Sequence, residues 1–256
     1  MHIESTGSGA PLLLIHGWGM HGGVWQEVAQ RLSAEFRVHV VDLPGYGYSN
    51  AEKIAGGKEE LDSLVEALSC SFADPLAVCG WSLGGQVALR WAARKPEQVK
   101  RLALVASTPC FAERADWAFG MELPVLEKFA AELEQNHAAT LRRFIALQMR
   151  GSENERELLV RLRGNLFSHG EPNMAALRAG LSILRDADQR GELKDIKQPA
   201  LVIAGERDKL TPREASYYMG QVMPSARVVE VEGAAHTPFL SHPEIFVEHL
   251  KSFLHE

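Results

Sequence analysis

The stretch that decides the fold is Leu76-Ala77-Val78-Cys79-Gly80-Trp81-Ser82-Leu83-Gly84-Gly85. It opens with a short apolar run typical of a buried strand, and the residues from Gln86 to Ala93 have the alanine, leucine and valine content of a packed helix. Between the two, a glycine stands two positions either side of Ser82. A serine in a strained turn needs neighbours without side chains there, because strand and helix would otherwise collide. The stretch therefore predicts a sharp strand–turn–helix with Ser82 at its apex.

A strand that turns sharply into a helix around Gly-x-Ser-x-Gly is the nucleophile elbow of α/β-hydrolases. The N-terminus of the following helix directs N–H groups, and the positive end of the helix dipole, towards negative charge that develops beside the serine. The bare motif also occurs by chance in glycine-rich loops. The strand and the helix on either side of Ser82 are what favour the elbow.

The composition excludes several classes of protein. At 256 residues the chain can hold one large α/β domain, with or without an insertion, and a formal net charge of −6 argues against nucleic-acid binding. The amino terminus has no signal-peptide pattern, and no apolar run approaches the ~20 residues of a membrane helix. Three widely spaced cysteines are typical of a reducing compartment, so we expect a cytoplasmic protein. We find no phosphate loop and no metal-ligand spacing of histidines, and therefore predict no cofactor and no metal.

Strand and helix patterns alternate at both ends of the chain. Apolar runs at 11–15, 36–41, 76–79, 98–107, 200–203 and 226–231 predict strands, and 24–32, 59–72, 86–93 and 243–254 predict helices. Between them, 127–134, 138–149, 155–166 and 174–183 read as helices without an intervening strand. We predict an α/β-hydrolase fold, with a mostly parallel central sheet flanked by helices. Residues 1–108 and 194–256 form this core, and residues 109–193 form an inserted helical cap.

Two later turns supply the partners that a serine nucleophile needs. A serine hydroxyl requires a base, and the base requires an orienting acid, in the chain order Ser, acid, His for this fold. Asp208 follows the strand at 200–203 and His236 follows the strand at 226–231, each through a glycine. Both turns open at the same edge of the sheet as Ser82. We predict a catalytic triad of Ser82, His236 and Asp208.

The oxyanion of an acyl-transfer reaction needs two N–H donors. The backbone N–H of Leu83 is one, and Trp18, in the loop after the first buried strand, is the leading candidate for the other. The Trp18 side chain either forms a wall of the acyl pocket or packs in the core, while His16 shapes this loop. Cys79 and Cys110 are rival nucleophiles, but one lies inside the strand before the elbow and the other has no histidine near it in sequence.

Motifs spread over the whole chain resemble the BioH family of biotin-pathway esterases. They are His16-Gly17-Trp18-Gly19-Met20, Val41-Asp42-Leu43-Pro44-Gly45-Tyr46-Gly47, Gly80 to Gly85, Val105-Ala106-Ser107-Thr108-Pro109-Cys110-Phe111, Arg143-Phe144-Ile145-Ala146-Leu147-Gln148 and Ala234 to Pro243. The resemblance implies an esterase, without cofactor, that removes the methyl ester from pimeloyl-acyl carrier protein and also cleaves short-chain esters. It also implies a monomer whose partner is acyl carrier protein.

Matching positions in that family imply a substrate pocket. Its residues would be Trp18, Ser82, Leu83, Phe144, Ile145, Ala146, Leu147, Gln148 and His236. A seven-carbon acyl chain fits an apolar tunnel lined by Phe144, Leu147, Trp18 and Trp81, because each buried CH₂ contributes about 0.8 kcal/mol.

The stretch from Arg142 to Arg163 is rich in arginine. It carries six arginines against Glu153, Glu155 and Glu157, in a chain that is acidic as a whole. Such a basic patch fits an acidic carrier protein, and Arg142, Arg143, Arg156 and Arg161 are the candidate docking residues. The alternative is a solvated helix face with charge pairs four residues apart.

Two other functions remain open at this point. The same triad would serve another α/β-hydrolase reaction, such as carbon–carbon bond hydrolysis or the menaquinone-pathway lyase. A ligand receptor without enzymatic activity can also use this fold, although the apparent triad argues against it.

Overall fold

One mixed sheet organises the polypeptide. A computed structural model describes residues 1–52 and 60–256, and in these residues the strands are β1 (His2–Thr6), β2 (Ala10–Ile15), β3 (Phe36–Asp42), β4 (Leu76–Trp81), β5 (Val99–Val105), β6 (Ala200–Gly205) and β7 (Ala226–Val231). Their order across the sheet is β1-β3-β2-β4-β5-β6-β7. β1 runs antiparallel to β3, and the other neighbouring pairs are parallel. The predicted mostly parallel sheet is confirmed.

Helices lie between the parallel strands and after the last of them. They are α1 (Gln26–Leu32), α2 (Glu60–Ser69), α3 (Leu83–Arg94), α4 (Leu123–Gln135), α5 (His137–Met149), α6 (Glu155–Asn165), α7 (Met174–Asp186), α8 (Arg213–Val222), α9 (Pro238–Ser241) and α10 (Pro243–His255). Short 3₁₀ helices lie at Gly22–Trp25, Gly47–Ser49 and Arg190–Asp195. The start of the helix predicted at 59–72 lies outside the described residues.

The central strands are buried on both faces. Residues 12–15 of β2 and every residue of β6 are buried, although successive side chains point to opposite sides of a sheet. Helices must therefore cover both sides, as in other parallel sheets. This arrangement brings the carboxyl ends of β2, β4, β6 and β7 to one edge, where ligand crevices form in such folds.

β1 and α8, like the short helix α9, were missed by the sequence analysis. β1 (His-Ile-Glu-Ser-Thr) is an edge strand with three exposed residues, so it lacks the apolar run by which the other strands were found. α8 is rich in polar residues and packs against β6 and β7. Neither element carries the predicted site.

Helices α4 to α7 lie between β5 and β6, within the segment predicted as a cap. Phe129 of α4 and Phe144 of α5 pack against Trp18 in the loop after β2, so these helices lie beside the carboxyl edge of the sheet. The assignment of residues 109–193 to a cap stays a prediction, and this segment is called the helical insertion below. In the described part of the chain, no helix has the length and apolar character needed to cross a membrane.

Candidate active site

Ser82 occupies a strained turn between β4 and α3. Its φ of 54° and ψ of −118° lie in a region that side-chain-bearing residues rarely adopt. A Cβ at Gly80 would collide with the carbonyl oxygen of Gly84, and a Cβ at Gly84 would lie 2.5 Å from the carbonyl oxygen of Ile15. The two glycines are thus required by close backbone approach, as the elbow motif predicts.

Two hydrogen bonds from β5 and the residues after it hold the strained turn. The N–H of Ser82 donates to the carbonyl oxygen of Val105 at 2.9 Å, and Ser107 Oγ donates to the carbonyl oxygen of Ser82 at 2.8 Å. Ser107 is completely buried. The neighbouring strand therefore stabilises a backbone conformation that the elbow alone disfavours.

Asp208 and His236 form a buried pair at the ends of β6 and β7. Asp208 Oδ2 accepts a hydrogen bond of 2.8 Å from His236 Nδ1. The N–H of Leu210 and the N–H of Thr211 donate to Asp208 Oδ1 at 2.8 and 3.1 Å, and Thr211 Oγ1 donates to Oδ2 at 2.7 Å. Burial opposes ionisation of the carboxyl, but the adjacent His236 and these hydrogen bonds outweigh it and lower the pKa of Asp208. The carboxylate is therefore ionised and fixes the imidazole with Nδ1 protonated.

His236 Nε2 is the reactive end of this pair. It is buried, and no described residue forms a hydrogen bond with it, including Ser82. The nucleophile–base hydrogen bond of unliganded sites is often long and forms only in the substrate complex. With Nδ1 bonded to Asp208, Nε2 carries the free lone pair that could accept a proton from Ser82 Oγ.

The backbone of His236 is fixed from two sides. Trp81 Nε1 donates to the carbonyl oxygen of His236 at 2.8 Å, and the N–H of His236 donates to the carbonyl oxygen of Gln148 at 3.2 Å. The first contact comes from the end of β4 and the second from α5 in the helical insertion. Core and insertion together therefore position the imidazole.

The loop after β2 lies against Ser82, as the sequence predicts. A Cβ at Gly17 would lie 3.2 Å from Ser82 Cβ. The backbone N–H groups of Trp18 and Leu83 form no hydrogen bond with any described residue, so both remain available as donors to an oxyanion. His16, fully buried, holds the loop: Nδ1–H donates to the carbonyl oxygen of Gly17 at 2.8 Å and Nε2 accepts from the N–H of Leu43 at 3.0 Å. Desolvation lowers the pKa of His16 to about 4, so the ring is neutral.

An aromatic cluster forms one wall beside this loop. The Trp18 ring meets Phe129 and Phe144 edge-to-face, at centroid distances of 5.5 and 5.1 Å. Trp18 Nε1 donates to the carbonyl oxygen of Leu177 at 2.9 Å. Phe129 escaped the sequence analysis because it lies in an ordinary amphipathic helix, and only the packing of α4 on α5 brings it to the site.

The predicted substrate segment 144–148 divides between two surfaces of α5. Phe144, Ile145 and Gln148 are buried, and Ala146 is half-buried. The Gln148 side-chain amide has no hydrogen-bond partner among the described residues. Leu147 is 38% exposed and lies in a surface groove with Arg150, apart from the contacts that Phe144 makes with Trp18.

The four candidate docking arginines are all exposed but differ in their contacts. Arg143 pairs with Glu132, and Arg161 pairs with Glu27 at 2.5 Å. The Arg142 guanidinium lies 5.9 Å from the centroid of the Phe167 ring. Arg156 forms no ion pair with a described residue. They share the outer surface of α5 and α6, and their role stays a prediction.

The rival nucleophiles are unsuited to the reaction. Cys79 and Cys110 are completely buried, and burial raises the pKa of both thiols, so both stay protonated. Cys110 Sγ donates to the carbonyl oxygen of Ala112 at 3.2 Å.

Two histidines, whose spacing in the sequence does not indicate a metal site, lie beside Asp42 near the boundary between the insertion and the core. One ligand atom from each of His21, Asp42 and His169 lies within 4.8 Å of the others. The centroids of the two stacked imidazoles lie 4.0 Å apart, and His169 Nδ1 lies 3.3 Å from Asp42 Oδ2. His21 Nε2–H donates to the carbonyl oxygen of Asn165 at 2.6 Å. The cluster therefore joins the insertion to the core.

The chain resembles a known protein family and known esterases in sequence. The model of the alpha/beta hydrolase fold family matches residues 10–243. The chain is 46% identical over 247 residues to the pimeloyl-[acyl-carrier protein] methyl ester esterase of Nitrosomonas europaea, with 96% of both chains covered. It is 41% identical to the protein of the same name from Chromobacterium violaceum, with 99% of this chain and 98% of the relative covered.

Solved structures share the fold at lower identity. An esterase from Exiguobacterium antarcticum superimposes with a TM-score of 0.86 at 22% identity, over 100% of this chain and 95% of the other. A bromoperoxidase from Bacillus anthracis gives a TM-score of 0.88 at 20% identity, over 99% and 95%. At such identity, the likeness concerns the fold alone.

Proposed function

The chain belongs to the alpha/beta hydrolase fold family and, within it, to the pimeloyl-[acyl-carrier protein] methyl ester esterases, and on that premise we propose that it hydrolyses the methyl ester of pimeloyl-acyl carrier protein. It is a serine carboxylic-ester hydrolase. The observation that carries the reaction class is the buried Asp208–His236 pair, with Nε2 unpartnered, in the same site as the Ser82 elbow. The full-length match to these relatives, through the helical insertion, supports the substrate.

In the proposed reaction, Ser82 Oγ attacks the carbonyl carbon of the methyl ester while His236 Nε2 takes the hydroxyl proton. The N–H groups of Leu83 and Trp18 bind the oxyanion, and Asp208 stabilises the imidazolium. His236 returns the proton to the methoxide, and methanol leaves. Water then attacks the acyl-enzyme with His236 as base, which releases pimeloyl-carrier protein with a free terminal carboxylate.

The aromatic wall suits the acyl chain of this substrate. Trp18, Phe129 and Phe144 form an apolar cluster beside the loop that carries the proposed oxyanion donor, and the acyl chain would pack against it. Each methylene that leaves water on this wall contributes about 0.8 kcal/mol, so a pimeloyl chain is favoured over a short acyl group. Ile145, Ala146, Leu147 and Gln148 complete the proposed substrate segment.

The carrier protein binds at the helical insertion in this proposal. Arg142, Arg143, Arg156 and Arg161 present exposed positive charge on α5 and α6, which would attract an acidic carrier. The enzyme works as a monomer in the cytoplasm, as a step in biotin synthesis. The three cysteines, all free thiols, agree with a reducing compartment.

The test is an assay of methyl pimeloyl-carrier protein hydrolysis. The reaction is monitored by the methanol released and by the change in the mass of the carrier protein. Wild-type protein should turn it over, and Ser82→Ala should not. If wild-type protein hydrolyses p-nitrophenyl esters but leaves the carrier-bound ester intact, the chain serves another reaction of the alpha/beta hydrolase family.

A further inference from the structure

A groove lined by apolar and basic side chains runs between the insertion and the core. It holds about 740 Å³ and lies between the end of α5, the start of α4, and the turn that follows β6. Its lining contains four apolar side chains, Met121, Val125, Leu147 and Leu210, and four basic ones, Arg150, Arg207, Lys209 and Arg213. A volume of this size is typical of sites for small molecules or slender chains.

The charge of this groove is opposite to that of the protein. Four cations line it against one carboxylate, Glu206, so its formal charge is +3 in a chain of −6. Glu206 accepts a hydrogen bond of 2.9 Å from the N–H of Gly233 and lies 3.4 Å from Arg207. The arrangement favours an anion.

Two of the cations have no partner among the residues that the structure describes. The side chains of Arg150 and Lys209 are exposed, and neither forms an ion pair or a hydrogen bond with any residue in 1–52 or 60–256. By contrast, Arg213 lies 3.1 Å from Glu230. Arg150 comes from the end of α5 and Lys209 from the turn after β6, so two separate segments offer unneutralised charge to one groove.

The groove borders the proposed catalytic residues. Lys209 directly follows Asp208, and the N–H of Leu210 donates to Asp208 Oδ1 at 2.8 Å. On the other side, Leu147 precedes Gln148, whose carbonyl oxygen accepts from the N–H of His236. The groove therefore adjoins the two segments that carry the proposed acid and anchor the proposed base.

We propose that the groove binds the phosphopantetheine arm of the carrier-bound substrate, with the phosphate against Arg150 and Lys209. This inference rests on the proposed function. The arm is a slender chain with one phosphate diester and apolar carbons, which match the two unpaired cations and the exposed apolar surface of Leu147 and Val125. An acidic face of the carrier itself needs a broad surface, and the groove is concave and of small-molecule size.

The test compares methyl pimeloyl thioesters of pantetheine, of 4′-phosphopantetheine and of carrier protein. The variant is Arg150→Gln/Lys209→Gln. The matched control is Arg37→Gln/Lys100→Gln, because these exposed cations lie near the amino ends of β3 and β5, opposite the site. We expect the groove variant to raise KM by about fivefold to thirtyfold for both phosphorylated substrates, and to leave the pantetheine thioester unchanged. The control should change none of them.

Three results would overturn the assignment. If the groove variant affected the pantetheine and phosphopantetheine thioesters equally, the two cations would not bind the phosphate. The same conclusion would follow if neither thioester were affected. A loss confined to the carrier-bound substrate would show that the cations meet side chains of the carrier.

A second measurement separates the groove from the proposed function. Hydrolysis of p-nitrophenyl acetate serves as the reporter, with 4′-phosphopantetheine and pantetheine as inhibitors. Stronger inhibition by the phosphorylated compound, lost in Arg150→Gln/Lys209→Gln, supports the groove even if the carrier-bound ester is not turned over. Equal inhibition by the two compounds overturns the groove even if that ester is hydrolysed.

Discussion

Trp18 Nε1 donates a hydrogen bond of 2.9 Å to the carbonyl oxygen of Leu177, which ties the loop beside Ser82 to α7 of the helical insertion. Because this indole is almost fully buried, the bond forms in a low-dielectric environment, where the loss of a partner is costly. The loop that carries a proposed oxyanion donor is therefore held by the insertion as well as by β2.

We predict that Trp18→Phe lowers the free energy of unfolding by about 1 kcal/mol more than Trp25→Phe, because it removes this hydrogen bond. Trp25 is the matched control: it is also fully buried, but its Nε1 has no hydrogen-bond partner among the described residues. Urea unfolding gives both values. Activity towards long-chain esters should fall only in Trp18→Phe, and equal losses of stability in the two variants would contradict the role of the bond.

At the elbow, Gly84→Ala should reduce the free energy of unfolding by about 1–3 kcal/mol and abolish esterase activity, since the added Cβ meets the carbonyl oxygen of Ile15 at 2.5 Å. Gly164→Ala, in α6, is the control because a Cβ there meets no atom within 4 Å. It should stabilise the protein by up to about 1 kcal/mol through helix propensity. Thermal unfolding and p-nitrophenyl acetate hydrolysis measure the two effects. An active Gly84→Ala protein of normal stability would contradict the close packing of strand and helix.

The strained backbone of Ser82 predicts a conflict between stability and activity. Ser82→Gly and Ser82→Ala should both lose more than about 10³-fold in kcat. Glycine tolerates a φ of 54° and alanine does not, so Ser82→Gly should be more stable than Ser82→Ala by about 1 kcal/mol. Chemical unfolding of the two inactive proteins decides the point, and a more stable alanine variant would show that the turn is not strained.

The buried His16 predicts how stability depends on pH. Desolvation lowers the pKa of His16 from 6.5 to about 4. As the pH falls from 6.5 to 4, the histidine is therefore protonated in the unfolded chain but still neutral in the folded chain. The stabilising contribution is thus present at pH 7 and is lost as the pH falls from 6.5 to 4. We expect the difference in unfolding free energy between wild type and His16→Asn to shrink by about 3 kcal/mol from pH 7 to pH 4. A difference that is independent of pH would mean that His16 accepts a proton without unfolding.

Phe144 and Leu147 lie one turn apart on α5 and should differ in their effect on acyl-chain selectivity. Phe144 packs on Trp18, whereas Leu147 lies in the basic groove. Phe144→Ala should flatten the increase of kcat/KM with acyl length for p-nitrophenyl esters from two to seven carbons. Leu147→Ala should preserve that increase and weaken only substrates with a pantetheine arm. If Leu147→Ala also flattened the series, Leu147 would belong to the acyl tunnel, as the sequence analysis expected.

The sequence predicts the elbow and the positions of Asp208 and His236 because these depend on local pattern and on one rule of parallel sheets. Gly80 and Gly84 mark the close approach of strand and helix, and residues after β6 and β7 must reach the edge where Ser82 lies. Their catalytic roles stay a prediction.

Other features depend on packing between distant segments and leave no periodic signal. Phe129 reaches Trp18 only because α4 packs on α5, and Arg150 and Lys209 line one groove only because the insertion lies beside the core. β1 could not be predicted from the sequence for another reason. It is an edge strand that is partly exposed to water, and such a strand needs no continuous apolar run.

The carbonyl oxygen of Gln148 accepts the N–H of His236, so α5 forms part of the scaffold of the proposed base. An outward swing of α5, of the kind that admits a bulky substrate, would remove this anchor and loosen the imidazole at the same moment. While α5 stood outward, the proposed base would lack this anchor. In such a motion, the chemical step would have to wait for α5 to return.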